Sequence, residues 1–175
     1  MIVSKIVSGG QSGADRGGLD AALALNIPIG GWAPRGWLAE DGVIPERYRV
    51  HMQETQSRDY PERTRLNVRD SDATIVFFGP QGERGGSLNT VNLCNSPYKR
   101  ACRRVLWEEI EEPLDELFIP KTIGWIRAHA NFMGRPIVLN VAGTRESKAP
   151  GIQARVAGVM RAVLERLMAG DDPHA

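Results

Sequence analysis

Glycine and polar residues cluster at three places in the sequence, each after a short apolar run and before a helix-like pattern. We call these segments loop 1 (residues 8–15), loop 2 (79–87) and loop 3 (143–149). Free backbone N–H groups at the start of a helix favour phosphate, and glycine lets a ligand approach the backbone closely. If the loops meet, they form a site for a phosphorylated small molecule. Its candidate phosphate-binding residues in loops 1 and 2 are Gly9, Gly10, Gln11, Ser12, Gly13, Gly85, Gly86 and Ser87.

Loop 1 fits neither of the common nucleotide-binding motifs. It lacks the Lys-Ser/Thr pair of a Walker A loop and does not match G-x-G-x-x-G. A glycine-rich turn can also serve only to reverse the chain. The glycine pair Gly85-Gly86, which follows a second predicted strand, favours the binding interpretation.

Charged residues in loops 1 and 3 add candidate ligand contacts. Arg145 and Lys148 could pair with an anion, and Arg can bind phosphate through two hydrogen bonds. The alternative for both is an exposed turn. Asp15 could accept from a ribose or base donor, but it also stands three residues after Ser12. That spacing favours a capping box at the start of a helix.

The segment over residues 32–58 has little periodicity and carries further candidates. Trp32 could stack on a flat heterocycle if the segment folds over the site, or it could anchor the segment on the core. Glu40 and Asp41 could exchange protons with a ligand. The commoner meaning of such an acidic pair is a charged surface turn.

Histidine and cysteine have no metal-binding pattern. His51, His129 and His174 are scattered, and Cys94 and Cys102 have no second cysteine pair nearby. The sequence therefore predicts neither a protein-ligated metal nor a disulfide framework.

Short β-branched runs alternate with helix-period segments, which predicts an α/β fold: an open, mainly parallel sheet with helices on both faces. Strands are predicted over 2–7, 27–31, 73–78 and 136–141, and helices over 16–25, 61–69, 88–95, 121–133 and 150–168. Between 103 and 117 the pattern is ambiguous: Val105–Trp107 could be a strand, followed by an acidic connector over 108–116. In such sheets ligands bind at the carboxyl ends of the strands, so the three loops should meet there.

Composition narrows the function classes. The 175 residues are 42% hydrophobic, which predicts one domain over residues 1–175. Lys and Arg total 22 against 21 Asp and Glu, a balance that does not favour nucleic acid or an anionic membrane as partner. No apolar run is long enough to cross a bilayer, and the first residues lack a signal-peptide pattern. We therefore expect a cytoplasmic protein.

Several motifs together resemble the family of proteins named putative molybdenum carriers, the circularly permuted YpsA branch of the SLOG superfamily. They occur in the family's order over about residues 5–155, weakening between 94 and 119, and comprise Val7–Gly17, Gly30–Pro34, Ala39–Gly42, Ser57–Tyr60, Arg63–Thr64, Asn67–Ala73 and Leu139–Ser147. The resemblance implies a Rossmann-like fold that binds a nucleotide-like or pterin-phosphate ligand. In plant and algal members it implies binding of molybdenum cofactor (molybdopterin).

The resemblance also leaves a second function open. The superfamily includes phosphoribohydrolases with a P-G-G-x-G-T-x-x-E motif, of which residues 84–92 keep only the glycine pair. Asn92 stands in place of the glutamate, and an amide cannot act as a base or nucleophile. A carrier without chemistry of its own is thus the leading hypothesis. The rival is a nucleotide hydrolase that uses Glu40, Asp41 or Glu146.

Members of the superfamily are often oligomers, so the resemblance implies a homodimer or larger homo-oligomer. We expect its interface on the predicted helix over 150–168 or near Trp107 and Trp125.

Overall fold

The computed structural model describes residues 1–111 and 118–170. Its strands are β1 (Val3–Val7), β2 (Ile29–Gly30), β3 (Trp32–Ala33), β4 (Leu38–Ala39), β5 (Gly42–Val43), β6 (Gln53–Glu54), β7 (Ala73–Phe77), β8 (Ala101–Val105) and β9 (Ile137–Gly143). Its helices are α1 (Ala14–Ala24), α2 (Glu46–Arg49), α3 (Tyr60–Arg69), α4 (Gly85–Asn95), α5 (Phe118–Met133) and α6 (Ile152–Ala169).

Five strands form one parallel sheet in the order β2-β1-β9-β7-β8. The chain builds one side of the sheet with β1 and β2 and the other with β7 and β8, and β9 then pairs between β1 and β7. The carboxyl ends of β1, β9 and β7 are therefore neighbours, and loops 1, 3 and 2 follow them. The α/β prediction with an open parallel sheet is confirmed.

Strand β7 shows how both faces of the sheet are covered. Its side chains alternate in direction: Ile75 and Phe77 pack in the large cluster with α1, α5 and α6, whereas Val76 packs with Phe78 and Val91 in a second cluster beside α4. Helix α1 packs on α6 and α6 on α5, while α3 packs on α4. Burial on both faces explains why β7 reads as a continuous apolar run.

The segment over 32–58 contains local structure that periodicity cannot reveal. Strand β3 pairs with β6 in parallel, and β4 pairs with β5 as an antiparallel hairpin. Each of these strands has two residues, too few to produce an alternating pattern.

The ambiguous region after residue 94 also differs from expectation. The strand lies over Ala101–Val105, and a 3-10 turn over Trp107–Ile110 follows it, so the predicted strand over Val105–Trp107 is wrong except for its first residue. Strand β8 is an edge strand whose Arg103 and Arg104 are not buried, which removes the apolar run that would have marked it. The acidic connector lies partly outside the described residues, as does His174. In the described part of the chain no helix has the length and apolar character needed to cross a membrane.

Candidate functional site

A cavity of about 370 Å³ lies at the carboxyl ends of β7 and β9, within the size range of small-molecule sites. Residues of all three loops line it, so the structure brings the loops together as expected. The predicted site residues in its wall are Gln11, Asp15, Gly85, Gly86, Ser87, Arg145 and Lys148. Residues of α3 complete the wall: Tyr60, Pro61, Arg63 and Thr64.

The remaining residues of loop 1 do not line the cavity, and two of its glycines allow close packing instead. A Cβ on Gly9 would lie 2.0 Å from Nη1 of Arg63, so the glycine makes room for that guanidinium. Gly13 has φ +94°, and a Cβ there would lie 2.5 Å from the carbonyl oxygen of Thr144. Loop 1 therefore packs directly on loop 3 and on the side chain of Arg63.

Loops 1 and 3 use much of their hydrogen-bonding capacity on each other. The N–H of Ala14 donates to the Thr144 carbonyl at 3.1 Å, and the N–H of Glu146 donates to the Ser12 carbonyl at 3.4 Å. The Glu146 carboxylate accepts hydrogen bonds from the N–H groups of Gly151 at 2.5 Å and Gln153 at 3.0 Å. These two N–H groups at the start of α6 therefore have a partner within the chain. The expectation that every loop offers free N–H groups is thus wrong at these positions.

The start of α4 differs from those of α1 and α6, because in the part of the chain that the structure describes no side chain and no neighbouring loop accepts a hydrogen bond from the N–H groups of residues 85–87. The N-cap residue Arg84 is extended and makes no side-chain cap hydrogen bond. Gly86, in the first turn, lines the cavity, and a Cβ built on it would meet nothing within 4 Å. An uncapped first turn with open space before it is a favourable position for an anion. Helix α4 begins at Gly85, three residues before the predicted start at 88, so the glycine pair belongs to the helix itself.

The charge in the cavity wall is mainly positive. Arg63, Arg84, Arg145 and Lys148 line it, and Asp15 is its acidic residue. The Arg145 guanidinium lies over the ring of Tyr60, with its Cζ 4.8 Å from the ring centroid. Neither Arg84 nor Lys148 forms an ion pair within residues 1–111 and 118–170. An anionic ligand would find unpaired positive charge here.

Asp15 is buried at the base of this wall. Its Oδ2 accepts from Nη1 of Arg63 at 3.2 Å and from the Gln11 N–H at 3.3 Å. Burial raises the pKa of this carboxyl, and the charge of Arg63 opposes the rise. The predicted capping box is wrong: the N-cap of α1 is Gly13, and the Ser12 hydroxyl donates to Glu40 at 2.5 Å.

Glu40 and Asp41 do not line the cavity but fasten the β4–β5 hairpin to its loops. The Glu40 carboxylate accepts from the hydroxyl of Ser12 and from the N–H (3.0 Å) and hydroxyl (2.5 Å) of Ser147, while its own N–H donates to Oε1 of Gln11 at 2.8 Å. Asp41 pairs with the guanidinium of Arg16 through two hydrogen bonds of 2.5 and 2.8 Å.

Both hairpin carboxyls ionise readily. Partial burial of Glu40 opposes ionisation, but the hydrogen bonds from Ser12 and Ser147 outweigh it and lower the pKa. The hydrogen bond from Arg16 lowers the pKa of Asp41. Lowered pKa values suit structural ion pairs better than a general acid at neutral pH.

Trp32 also lies away from the cavity wall. Its indole N–H donates to Asp70 at 2.8 Å, and its backbone N–H donates to the Asn67 side chain at 2.8 Å. The sequence reasoning missed Tyr60 and Arg63 as site residues, although both belong to motifs of the family resemblance. Both residues lie far in sequence from the glycine-rich loops. Only their presence in the motifs of the family resemblance could have identified them as site residues.

The comparisons with known proteins agree with this architecture. The model of the circularly permutated YpsA SLOG family matches residues 6–164. A crystal structure of a protein from Syntrophus aciditrophicus SB, named putative molybdenum carrier protein, is similar with 36% identity and a TM-score of 0.79, covering 93% of this chain and 96% of that one. No curated protein matches the sequence.

Proposed function

Because the chain belongs to the circularly permutated YpsA SLOG family, we propose that it is a cytoplasmic carrier for a phosphorylated heterocycle. Molybdenum cofactor or a nucleotide is its candidate cargo. The similar protein from Syntrophus is named a molybdenum carrier, which supports the first of these. The ligand would lie in the cavity where loops 1, 2 and 3 meet.

One observation carries the proposal: the uncapped start of α4 faces a cavity whose wall is rich in cations. The N–H groups of Gly86 and Ser87 would bind the phosphate together with Lys148 and Arg145. Charge-assisted hydrogen bonds of this kind are the stronger ones in proteins. The metal, if present, would arrive inside the cofactor, since no cluster of potential metal ligands occurs in the residues the structure describes.

The hydrolase alternative rests on Asp15. It is the acidic residue in the cavity wall, and its raised pKa is the kind of perturbation that active-site carboxyls show. Glu40 and Asp41 lie outside the wall, and the Glu146 carboxylate is engaged at the start of α6. A hydrolase would therefore depend on Asp15.

A homodimer or larger homo-oligomer remains our expectation, and the packing of α6 bears on one of its two suggested interfaces. The apolar stripe of α6 is buried inside the chain against α1 and α5, and it comprises Ile152, Val156, Val159, Val163, Leu164 and Leu167. That stripe therefore cannot also cover a second copy.

The test of carrier against hydrolase is mass spectrometry of small molecules released by denaturing the purified protein. We expect an intact phosphorylated heterocycle that survives incubation with fresh protein. Release of the free base during incubation, abolished by Asp15→Asn, would instead support the hydrolase. A preparation that carries no phosphorylated molecule and binds none of AMP, IMP or ADP would contradict both.

A further inference from the structure

Two hydrogen-bond donors in the cavity wall lack an acceptor. Nε2 of Gln11 and Nε of Arg63 are both buried without a partner, and both residues line the cavity. Gln11 is only 3% exposed, so water does not readily satisfy its amide. Native proteins rarely leave a buried donor unpaired, and such groups often mark a place where a ligand binds.

The orientation of the Gln11 amide is fixed by its surroundings. The backbone N–H groups of Ser12 (3.1 Å) and Glu40 (2.8 Å) both donate to one side-chain atom, which must therefore be the oxygen. The unpaired atom is then necessarily the nitrogen, a donor. Because Glu40 also holds loops 1 and 3 together, the amide cannot turn over without breaking both contacts.

Arg63 is linked to the backbone of Gln11 through Asp15. Its Nη1 and the backbone N–H of Gln11 donate to the same oxygen of Asp15, and its guanidinium lies over Gly9. The ion pair with Asp15 holds the guanidinium in place, yet it leaves Nε without an acceptor. Both unpaired donors thus belong to residues that line the cavity and that Asp15 links, one in loop 1 and one in α3.

We propose that Gln11 and Arg63 form a specificity subsite for an oxygen acceptor of the ligand, separate from the phosphate position at the start of α4. This inference rests on the proposed function. A ligand oxygen at the subsite would satisfy the buried donors, whereas an amino group there would leave them unpaired and add a further donor. The oxygen is either the carbonyl of an oxo-heterocycle or belongs to a second phosphate.

Three nucleotides distinguish these sources. IMP and AMP differ in carrying an oxygen or an amino group at the same ring position, and ADP adds a second phosphate to AMP. Calorimetric titration of the full chain should show IMP or ADP binding at least about tenfold more tightly than AMP, the factor expected for one satisfied buried donor. Preference for IMP assigns the oxygen to the heterocycle. Because the extra charge of ADP strengthens binding to a cationic wall in any case, preference for ADP assigns the oxygen to the second phosphate only if Arg63→Lys, which keeps the charge of the wall, abolishes that preference.

The variant Gln11→Glu tests the residue directly, because it keeps an acceptor for Ser12 and Glu40 but replaces the donor. It should abolish the preference shown by the parent. Gln53→Glu is the matched control: it makes the same change at an exposed glutamine outside the cavity wall and should keep the preference. If thermal melting shows that Gln11→Glu does not fold, Arg63→Lys replaces it as the test variant, because it keeps the positive charge but removes Nε.

Equal affinity of the parent for all three nucleotides would overturn the subsite while leaving the carrier proposal intact. So would a preference that persists in both Gln11→Glu and Arg63→Lys. If none of the nucleotides binds, the subsite as stated is also wrong, and the released molecules identified by mass spectrometry decide the carrier proposal separately.

Discussion

At the scale of single residues, glycines of the same apparent motif have different structural roles. Gly86 is in the cavity wall with open space before it, whereas Gly10 has φ +71° and packs near Ile44. Sequence alone predicts that both serve phosphate binding. The contacts that separate them come from residues remote in the chain, which no local motif contains.

We therefore expect Gly86→Val to weaken nucleotide binding without lowering the melting temperature, because its side chain would occupy the space that the ligand phosphate needs. The control is Gly10→Val. A Cβ there would lie 3.0 Å from Cδ1 of Ile44, in a backbone conformation that valine rarely adopts, so it should lower the melting temperature by several degrees. Calorimetric titration and thermal melting measure both effects. Unchanged affinity in Gly86→Val would place the phosphate elsewhere.

At the scale of elements, the β4–β5 hairpin is tied to loops 1 and 3 by a carboxylate whose pKa is lowered. A group of this kind contributes stability above its unfolded pKa, and the contribution is lost as pH falls through the lower folded pKa. For Glu40 the unfolded value is 4.5, so its contribution should be complete above that pH, decline as the pH falls below it, and vanish only below the lower pKa of the folded protein.

Accordingly, Glu40→Ala should lower the free energy of unfolding by roughly 1–3 kcal/mol at neutral pH, since it removes hydrogen bonds to a charged acceptor. The difference from the parent should shrink as the pH falls below 4.5. Amide hydrogen exchange should accelerate in loops 1 and 3 together. Glu46→Ala, at an exposed residue of α2, is the control, and it should change neither the pH dependence of stability nor hydrogen exchange in the two loops. Exchange that stays unchanged in both loops would show that Glu40 does not join them.

Elements with strong periodicity were predictable, and the others were not. Strand β7 and helix α6 bury long regular runs, so their patterns are clear. Strands of two residues carry no pattern, and β8 is too polar at the sheet edge to resemble a core strand. The meeting of the loops followed from the parallel sheet alone. The contribution of α3 to the site did not, because it depends on the long-range packing of Arg63 against Gly9.

At the scale of the whole molecule, a nearly neutral chain concentrates positive charge in one place. The formal net charge is +1, yet the cavity wall carries Arg63, Arg84, Arg145 and Lys148 with Asp15 as its acidic residue. The net charge of the chain therefore does not predict the charge of the ligand, whereas the positive charge of the cavity wall predicts an anion.

Binding of an anionic ligand should consequently weaken with added salt or inorganic phosphate and be insensitive to EDTA. The double variant Arg145→Ala/Lys148→Ala should lose about 1.5–3 kcal/mol of binding free energy for each charge-assisted hydrogen bond removed. Lys121→Ala/Arg161→Ala changes the net charge equally but lies outside the cavity wall, so it should leave affinity nearly unchanged. Titrations of IMP and ADP at two salt concentrations measure both. Equal losses in the two double variants would mean that only the overall charge matters, and release of the ligand by EDTA would mean that a metal holds it.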